Sequence, residues 1–272
     1  MNPSMKKNSP LILITNDDGV RSPGILALAE AVIDLAEIVI VAPIEQQTGM
    51  GRSFPRGSSG IIEKIKLELN GKSLVAYGVH GSPAQAVSHG VLEICCRKPD
   101  YCLSGINYGE NLGGCLTCSG TLGAAFEADS HGIPTMAISR QAALGEQHGT
   151  FYASMDWEEP KRIARLLMRQ VLKKGFPHGA SILNVNIPNG TTIETPIRWT
   201  CQSRLNYFEF KRPPERNYSE PYRLESVFQA DHEKIEKNSD VHAFHLDRVI
   251  SITPLTWDMS VKVDSRWEEH FQ

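Results

Sequence analysis

The first half of the chain alternates short apolar runs with helical patterns, and this alternation limits the possible folds more than any other feature. The opening run, residues 11–14, is continuously apolar, as expected for a strand buried on both faces. It ends in the turn cluster at residues 16–19, and a helix can begin at Pro23, since proline is tolerated in a first helical turn. Repeated strand–helix units predict an α/β fold with a doubly wound, mostly parallel, Rossmann-like sheet.

The same patterns predict the other elements of this sheet. Apolar runs indicate strands at residues 38–41, 100–103, 135–138, 182–187 and 249–253. Alternating residues on either side of the Asn70-Gly71 turn predict a β-hairpin over residues 61–79. Helices are expected at residues 82–96, 121–130 and 157–174, and the last has the clearest amphipathic pattern.

Length and composition favour one soluble domain. The chain has 272 residues, of which 41% are hydrophobic and 22% charged, with a formal net charge of -3. A nucleic-acid duplex is therefore not an expected partner, because backbone binding needs a basic surplus. We expect a core over about residues 11–197, an excursion or oligomerisation arm over about 198–240, and a C-terminal strand and tail over 241–272. The excursion has no sustained periodicity, so it is not expected to join the core.

No targeting or membrane segment is evident in the sequence. The apolar run at residues 11–15 is too short for a signal peptide, and no stretch approaches the about 18 apolar residues of a membrane span. We therefore predict a cytoplasmic protein that does not enter a membrane. Its six cysteines are expected to be free thiols in a reducing compartment.

Two polar clusters, residues 16–19 and 104–111, follow different predicted strands. In a doubly wound sheet, ligands bind at the carboxyl ends of the strands near the topological switch point. Both clusters should therefore lie at one edge of the sheet.

The first cluster contains adjacent acids, Asp17 and Asp18. Two carboxylates this close repel each other unless a cation joins them, and oxygen-rich sites suit Mg²⁺ or Mn²⁺. Asn107 could add an amide oxygen, and Thr48 a hydroxyl. An isolated Asp-Asp-Gly sequence is more often an acidic turn, so this interpretation depends on the clusters occurring together.

The second set of residues surrounds a predicted helix start. Ser119, Gly120 and Thr121 offer hydroxyl and N–H groups at the positive end of the helix dipole, and Asn111 can donate through its amide. Each could simply be a capping or loop residue. Together with the acids, they provide what metal-assisted phosphate-ester hydrolysis needs: a cation that polarises the ester and activates water, and donors for the phosphoryl oxygens.

These residues also carry a family resemblance. Residues 15–24, TNDDGVRSPG, resemble the N-terminal signature of the SurE survival-protein family. Its second signature is similar to residues 104–107, 111–113, 119–121 and 124–125, and shorter matches lie at residues 41–43, 81–83, 183–188 and 251–255. The resemblance spans about residues 11–256.

The resemblance implies a metal-dependent phosphatase that hydrolyses nucleoside 5′-monophosphates, and often 3′-monophosphates, with one divalent Mg or Mn ion per subunit. It also implies a homodimer or homotetramer that exchanges a C-terminal arm, for which residues 198–240 are the candidate. The implied metal ligands are Asp17, Asp18, Thr48 and Asn107. Asp17 and Asp18 are also the expected catalytic residues, and the expected substrate-binding residues are Asn16, Asn111, Ser119, Gly120 and Thr121.

The chain departs from the family pattern at three places. Thr48 stands where the family usually has Ser, which keeps the hydroxyl and adds a methyl group. Residues 114–118, GCLTC, replace a run that tends to contain acids, apolar residues and Tyr, and Ile44 replaces the usual acid.

Three other readings compete with this one. A haloacid-dehalogenase-type phosphatase needs Asp-x-Asp, whereas Asp17 and Asp18 are adjacent. Cys115 and Cys118 have the spacing of a redox or zinc motif, although no second Cys or His pair completes a zinc site. A nucleotide-binding protein without turnover remains the main alternative, because of Thr48 and the altered loop.

Overall fold

The structure, a computed structural model, describes residues 9–142, 155–228, 233–261 and 263. Its strands are β1 (Leu11–Thr15), β2 (Glu37–Pro43), β3 (Ile62–Leu69), β4 (Lys72–Val79), β5 (Tyr101–Tyr108), β6 (Thr135–Arg140), β7 (Ile182–Ile187), β8 (Ile197–Trp199), β9 (Phe208–Phe210), β10 (Ser226–Phe228) and β11 (Ile250–Leu255). Its α-helices are α1 (Pro23–Val32), α2 (Pro83–His89), α3 (Gly120–Ser130) and α4 (Glu158–Lys174).

The main sheet has the order β3-β4-β2-β1-β5-β6-β7-β11-β8. The strands from β4 to β7 in this order run parallel, whereas β3 and β11 are antiparallel to their neighbours β4 and β7. From β1 the chain first adds strands on the β2 side and later returns to the other side at β5. The predicted doubly wound sheet with a hairpin is therefore confirmed, and its switch point lies between β1 and β5.

Strand β1 is the centre of the fold. All five of its residues are buried, because helices cover both faces of the sheet. Ile12 and Ile14 belong to the apolar cluster that includes α1 and α4, and Leu13 belongs to the cluster that includes α2 and α3. Full burial of each such side chain stabilises the fold by about 1.5–3 kcal/mol. This burial holds β1 in place, and residues 16–19 therefore follow it at the edge of the sheet.

The helix starts follow local sequence signals. Ser22 caps α1 ahead of Pro23, and Ser82 and Gln85 form a capping box at α2. The helix predicted to reach about residue 96 is α2 followed by a π-helical turn, Gly90–Ile94. Within the described part of the chain, none of the helices has the length and apolar character needed to cross a membrane.

Strand β5 is longer than predicted and extends through Asn107 to Tyr108. Its register with β6 shifts between Gly105 and Asn107, and the strand continues beyond this irregularity. Because the sequence here is rich in glycine, it predicts a loop where the strand in fact continues. The extension places Asn107 at the carboxyl edge of the sheet, beside the residues that follow β1.

The expectation that residues 198–240 add nothing to the core is wrong for the two ends of this segment. Tyr207 and Ile235 are buried in a cluster with Leu112 and Phe244. Their apolar side chains lie among polar residues without a period, so the sequence pattern does not reveal the burial. The division into core, arm and tail stays a prediction, and residues 229–232, 262 and 264–272 lie outside the described residues.

Candidate active site

Asp17 and Asp18 leave β1 as buried side chains that contact three other parts of the fold. Thr121 Oγ1, on α3, donates to Asp17 Oδ1 at 2.7 Å. The backbone N–H of Tyr108 donates to Asp18 Oδ2 at 3.1 Å, and Gln46 Nε2 donates to Asp18 Oδ1 at 3.3 Å. The acid pair therefore lies where α3, the end of β5 and the loop after β2 meet.

Both carboxyl groups have raised pKa values. Burial raises the pKa of Asp17 to about 6. Burial, together with the negative charge of Asp17, raises the pKa of Asp18 to about 8. The interactions that oppose these shifts come from neutral donors, such as the Thr121 hydroxyl and the Tyr108 amide. A divalent cation would supply the missing positive charge, so the pair fits a metal site.

Asn107 fits the same site as a neutral oxygen ligand. Its Nδ2 donates to the Gly109 carbonyl at 2.5 Å, which leaves Oδ1 as the atom available to a cation. Among the described residues, no group of three or more His, Cys, Asp and Glu side chains could hold a metal. The candidate set of Asp17, Asp18 and Asn107 offers carboxylate and amide oxygens, which are the ligand types that hard divalent cations prefer.

Thr48 lies in the loop after β2 and is exposed. The loop is tied to the site by the hydrogen bonds from Gln47 N to Asp17 O, 2.7 Å, and from Gly51 N to Cys118 O, 3.1 Å. Within the described residues, however, no hydrogen bond links Thr48 to the other three predicted ligands. The structure brings together Asp17, Asp18 and Asn107 but does not join Thr48 to them.

The start of α3 is the candidate anion site, and it lies beside the acids. Ser119 Oγ accepts from Leu122 N at 3.1 Å, so the hydroxyl proton stays available for a ligand. In the described part of the chain, the N–H groups of Gly120 and Thr121 have no backbone acceptor. A Cβ added at Gly120 would lie 2.7 Å from Asp17 Oδ2, so an anion at this helix start would lie next to the acid pair.

Thr121 has a different role from the one predicted for its side chain. It is fully buried, and its hydroxyl is used by Asp17 and also accepts a long hydrogen bond of 3.4 Å from Asn111 Nδ2. The hydroxyl therefore orients Asp17 and does not face a substrate. The backbone N–H of Thr121 also interacts with the Asp17 carboxyl and partly offsets the rise in its pKa, so a phosphate oxygen would share this donor with Asp17.

Asn111 lies in a buried network with two asparagines of β7 and with Ser139. Its carbonyl accepts from Asn184 Nδ2 and Asn186 Nδ2 at 2.9 and 3.0 Å, and its own N–H donates to Asn186 Oδ1 at 2.7 Å. Its Nδ2 donates to Ser139 Oγ at 2.9 Å. A contact from Asn111 to phosphate would have to replace the long bond to Thr121, which is the weaker of its two.

Sequence reasoning missed Asn184 and Asn186. Their spacing of two residues inside an otherwise apolar, buried strand places both side chains on one face. Buried polar side chains need partners, and this was the available signal that β7 supports a polar site.

Asn16 is a structural residue, contrary to the prediction that it binds substrate. It is fully buried, and its Nδ2 donates to Gly19 O at 3.1 Å and to Ser22 Oγ at 2.6 Å. Its Oδ1 accepts from Gly19 N at 3.2 Å. These three bonds fold the acidic turn back onto the N-cap of α1 and leave no donor for a ligand.

A half-buried ion pair between Arg52 and Glu127 connects the loop after β2 to α3. Glu127 is 5% exposed and accepts from Arg52 Nε at 2.8 Å and from Ser88 Oγ at 2.6 Å. The close approach of Gly51 O to Gly123 supports the same docking, because a Cβ at Gly123 would lie 2.0 Å from that oxygen. The loop that carries Gln46 and Thr48 is thereby held against the helix whose start is the candidate anion site.

Cys115 and Cys118 do not have the properties of a redox pair. Both are free thiols, and Cys118 Sγ donates to the Cys115 carbonyl at 3.1 Å. Burial raises the pKa of Cys118, whereas a reactive thiol needs a lowered pKa. The altered loop is a short 3-10 turn, Gly114–Thr117, that leads into the N-cap of α3.

Comparison with known proteins gives one consistent family. The family model described as "Survival protein SurE" matches residues 12–209. A protein named 5′-nucleotidase SurE from Methanocella arvoryzae is 41% identical over 256 residues, covering 92% of this chain and 92% of that protein. A protein of the same name from Thermococcus kodakarensis is 34% identical, covering 93% and 95%.

A solved structure agrees with these sequence matches. The crystal structure of the SurE protein from Aquifex aeolicus has a TM-score of 0.75 and 30% identity, and the match covers 97% of this chain and 100% of that one. The family model spans β1 to β9 and so includes the acid pair, Asn107 and the start of α3. On its sequence, its fold and the arrangement of these residues, the chain belongs to the SurE family.

Proposed function

We propose that this protein is a metal-dependent 5′-nucleotidase that hydrolyses nucleoside 5′-monophosphates to nucleoside and inorganic phosphate. Hydrolysis of 3′-monophosphates at the same site is part of the proposal. The single observation that supports it most is the close contact between Asp17 and Gly120, because the predicted metal ligand and the predicted phosphate-binding helix start are neighbours there.

The proposal assigns one Mg²⁺ or Mn²⁺ ion to Asp17, Asp18 and Asn107, with Thr48 as a fourth ligand. When bound, the ion would polarise the phosphate ester and lower the pKa of a water molecule. The N–H groups of Gly120 and Thr121 and the Ser119 hydroxyl would bind the phosphoryl oxygens at the positive end of the helix dipole. Asn111 would complete this set through its amide.

Asp17 has two distinct oxygen atoms in this scheme. Oδ1 is held by Thr121, and Oδ2 lies beside Gly120. We assign Oδ2 the role of accepting the proton of the water that attacks phosphorus. Asp18, held by Tyr108 and Gln46, would keep the cation in place while charge builds up on the phosphoryl group.

Assembly and location are further parts of the proposal. The hairpin of β9 and β10 leaves Phe210 66% exposed and Tyr218 88% exposed, which fits an arm that another subunit covers. We propose a homodimer or homotetramer that exchanges this C-terminal arm, and a cytoplasmic location. Size-exclusion chromatography with light scattering, on the full chain and on a Phe210→Ser variant, tests the assembly.

Phosphate release from a panel of nucleoside 5′- and 3′-monophosphates tests the function. The reactions contain Mg²⁺, Mn²⁺ or a chelator, and p-nitrophenyl phosphate serves as a substrate without a base. We expect release from nucleotides with either metal and none with the chelator. Binding of nucleotides without release under any condition would instead favour the binding-only alternative.

A further inference from the structure

Asp240 is a fully buried acid that lies outside the candidate metal and phosphate residues. Its Oδ1 accepts from the backbone N–H groups of Ser203 and Val241 at 2.9 and 2.8 Å. Its Oδ2 accepts from Gly113 N at 3.0 Å, across 127 positions of the sequence. Three N–H donors on one buried group require an acceptor, so a carboxylate suits this position and an amide nitrogen does not.

The same segment holds Gly113 and Gly114 by two further bonds. Gln202 Nε2 donates to the Gly113 carbonyl at 3.0 Å, and Gly114 N donates to the Leu205 carbonyl at 2.8 Å. Gly113 has φ 55° and ψ -134°, and a Cβ there would lie 2.4 Å from Leu205 O. The N–H and carbonyl groups of this glycine pair are thus hydrogen-bonded by Asp240 and by residues 202–205, at a distance that only glycine allows.

These hydrogen bonds hold Gly113, which lies two residues from Asn111 in the sequence. Between them, Leu112 is fully buried against Tyr207 and Phe244. On its other side, Asn111 is held by the β7 asparagines. The loop that presents Asn111 and leads to the α3 anion site is therefore fixed between the sheet and the C-terminal segment.

We propose that Asp240 is a positioning residue of the phosphate site: through Gly113 it sets the place of Asn111 and of the loop that enters α3. The proposal rests on the function proposed for that site. Asp240 touches no substrate, and its own hydrogen bonds go to Gly113, Ser203 and Val241 and not to the candidate metal ligands. Loss of its carboxylate should therefore weaken phosphate binding and leave metal binding unchanged.

Glu236 provides a matched control. It lies four residues away in the same segment and accepts from Ser203 Oγ at 2.6 Å and Arg204 N at 3.2 Å, without a hydrogen bond to residues 109–114. Asp240→Asn and Glu236→Gln thus make the same change of charge and shape. Only Asp240→Asn introduces a side-chain NH₂ group next to backbone N–H donors, and one of these donors is Gly113.

The experiment measures the binding of inorganic phosphate by calorimetry on the full-length protein with saturating Mg²⁺, and separately the Mg²⁺ concentration for half-maximal activity. Asp240→Asn should weaken phosphate binding by about tenfold, while Glu236→Gln stays within about twofold of wild type. The Mg²⁺ requirement of both variants should stay within about twofold of wild type, which general loosening of the fold would not allow.

Two results would overturn the proposal. One is equal phosphate affinity in the two variants. The other is a loss of Mg²⁺ affinity in Asp240→Asn as large as its loss of phosphate affinity. If Asp240→Asn does not fold, Gln202→Ala replaces it, because Gln202 is exposed and contributes one bond to Gly113. That variant should weaken phosphate binding by about threefold, and unchanged binding would again overturn the proposal.

The binding measurement also separates this proposal from the proposed function. A wild-type protein that binds phosphate but releases none from any nucleotide would contradict the phosphatase function. The comparison of the two variants would still decide the role of Asp240. Turnover in wild type together with equal phosphate affinity in both variants would contradict only the role of Asp240.

Discussion

The hydroxyl of Thr121 donates to Asp17 Oδ1 at 2.7 Å and so connects two residues that lie 104 positions apart. The bond joins the first turn of α3 to the end of β1. It fixes one carboxylate oxygen of the acid pair and leaves the other beside Gly120. The orientation of Asp17 therefore depends on the same helix whose start is the candidate anion site.

Thr121→Val should reduce activity by about tenfold to a hundredfold, because it removes a hydrogen bond to a charged group while keeping the side-chain shape. Thr121→Ser keeps the hydroxyl and should recover most of the activity. Steady-state phosphate release by the two variants at saturating metal measures the effect. Equal activity in Val and Ser variants would show that the bond does not orient Asp17.

Gly120→Ala should reduce activity by at least about tenfold, because the added methyl group would meet Asp17 at the point of contact with α3. Gly57→Ala is the control, since a Cβ at Gly57 meets nothing within 4 Å. Activity and melting temperature should both be measured for the two variants. If Gly120→Ala were as active as Gly57→Ala, the close packing of α3 on the acid pair would not matter for the reaction.

Stabilisation of the protein by Mg²⁺ should increase as the pH rises from about 5 to about 8. The pKa values of Asp17 and Asp18 are raised from 3.8 to about 6 and about 8. Above about pH 4, the unfolded chain loses these protons, whereas the folded, metal-free protein keeps them. The free energy of unfolding of the metal-free protein therefore falls as the pH rises through the raised pKa values of the folded state. Mg²⁺ competes with the protons and removes this penalty.

The difference in melting temperature with and without Mg²⁺, measured across this pH range, tests the linkage. Other titrating groups contribute to both curves and largely cancel in the difference. Asp18→Asn should flatten the pH dependence, because it removes the group with the larger shift. If the Mg²⁺-dependent difference in melting temperature of the wild type stayed constant with pH, a metal site at Asp17 and Asp18 would be contradicted.

Thr48→Ala should raise the Mg²⁺ concentration needed for half-maximal activity by about tenfold if the hydroxyl becomes a ligand, and Thr48→Ser should not. The prediction needs a test because Thr48 is exposed and the structure joins it to the site only through its loop. An unchanged metal requirement in Thr48→Ala would remove Thr48 from the ligand set and leave Asp17, Asp18 and Asn107.

The parts of the fold that local sequence signals determine could be predicted. The continuous apolar run of β1, the Asn70-Gly71 turn and the capping serine at residue 119 each act within a few residues. They were enough to place Asp17 and Asp18 beside the start of α3, because the carboxyl ends of parallel strands share one edge.

The missing parts depend on contacts between distant residues. Asp240 lies in a segment without periodicity, and its partner Gly113 is 127 residues away. Asn16 and Thr121 were correctly located by sequence, but the structure was needed to show that their side chains are used internally. A sequence pattern shows which polar groups reach an edge, and only the packed structure shows which of them remain free for a ligand.

Metal-dependent phosphate release from a nucleoside 5′-monophosphate, compared between wild type, Asp18→Asn and Asp34→Asn, tests the proposed function most directly. Asp34 is an exposed acid that follows α1 and pairs with Arg165 of α4, away from the site. We expect release by wild type and Asp34→Asn with Mg²⁺ or Mn²⁺, and a loss of at least about a hundredfold in Asp18→Asn. Full metal-dependent activity in Asp18→Asn would contradict the assignment of the reaction to this acid pair.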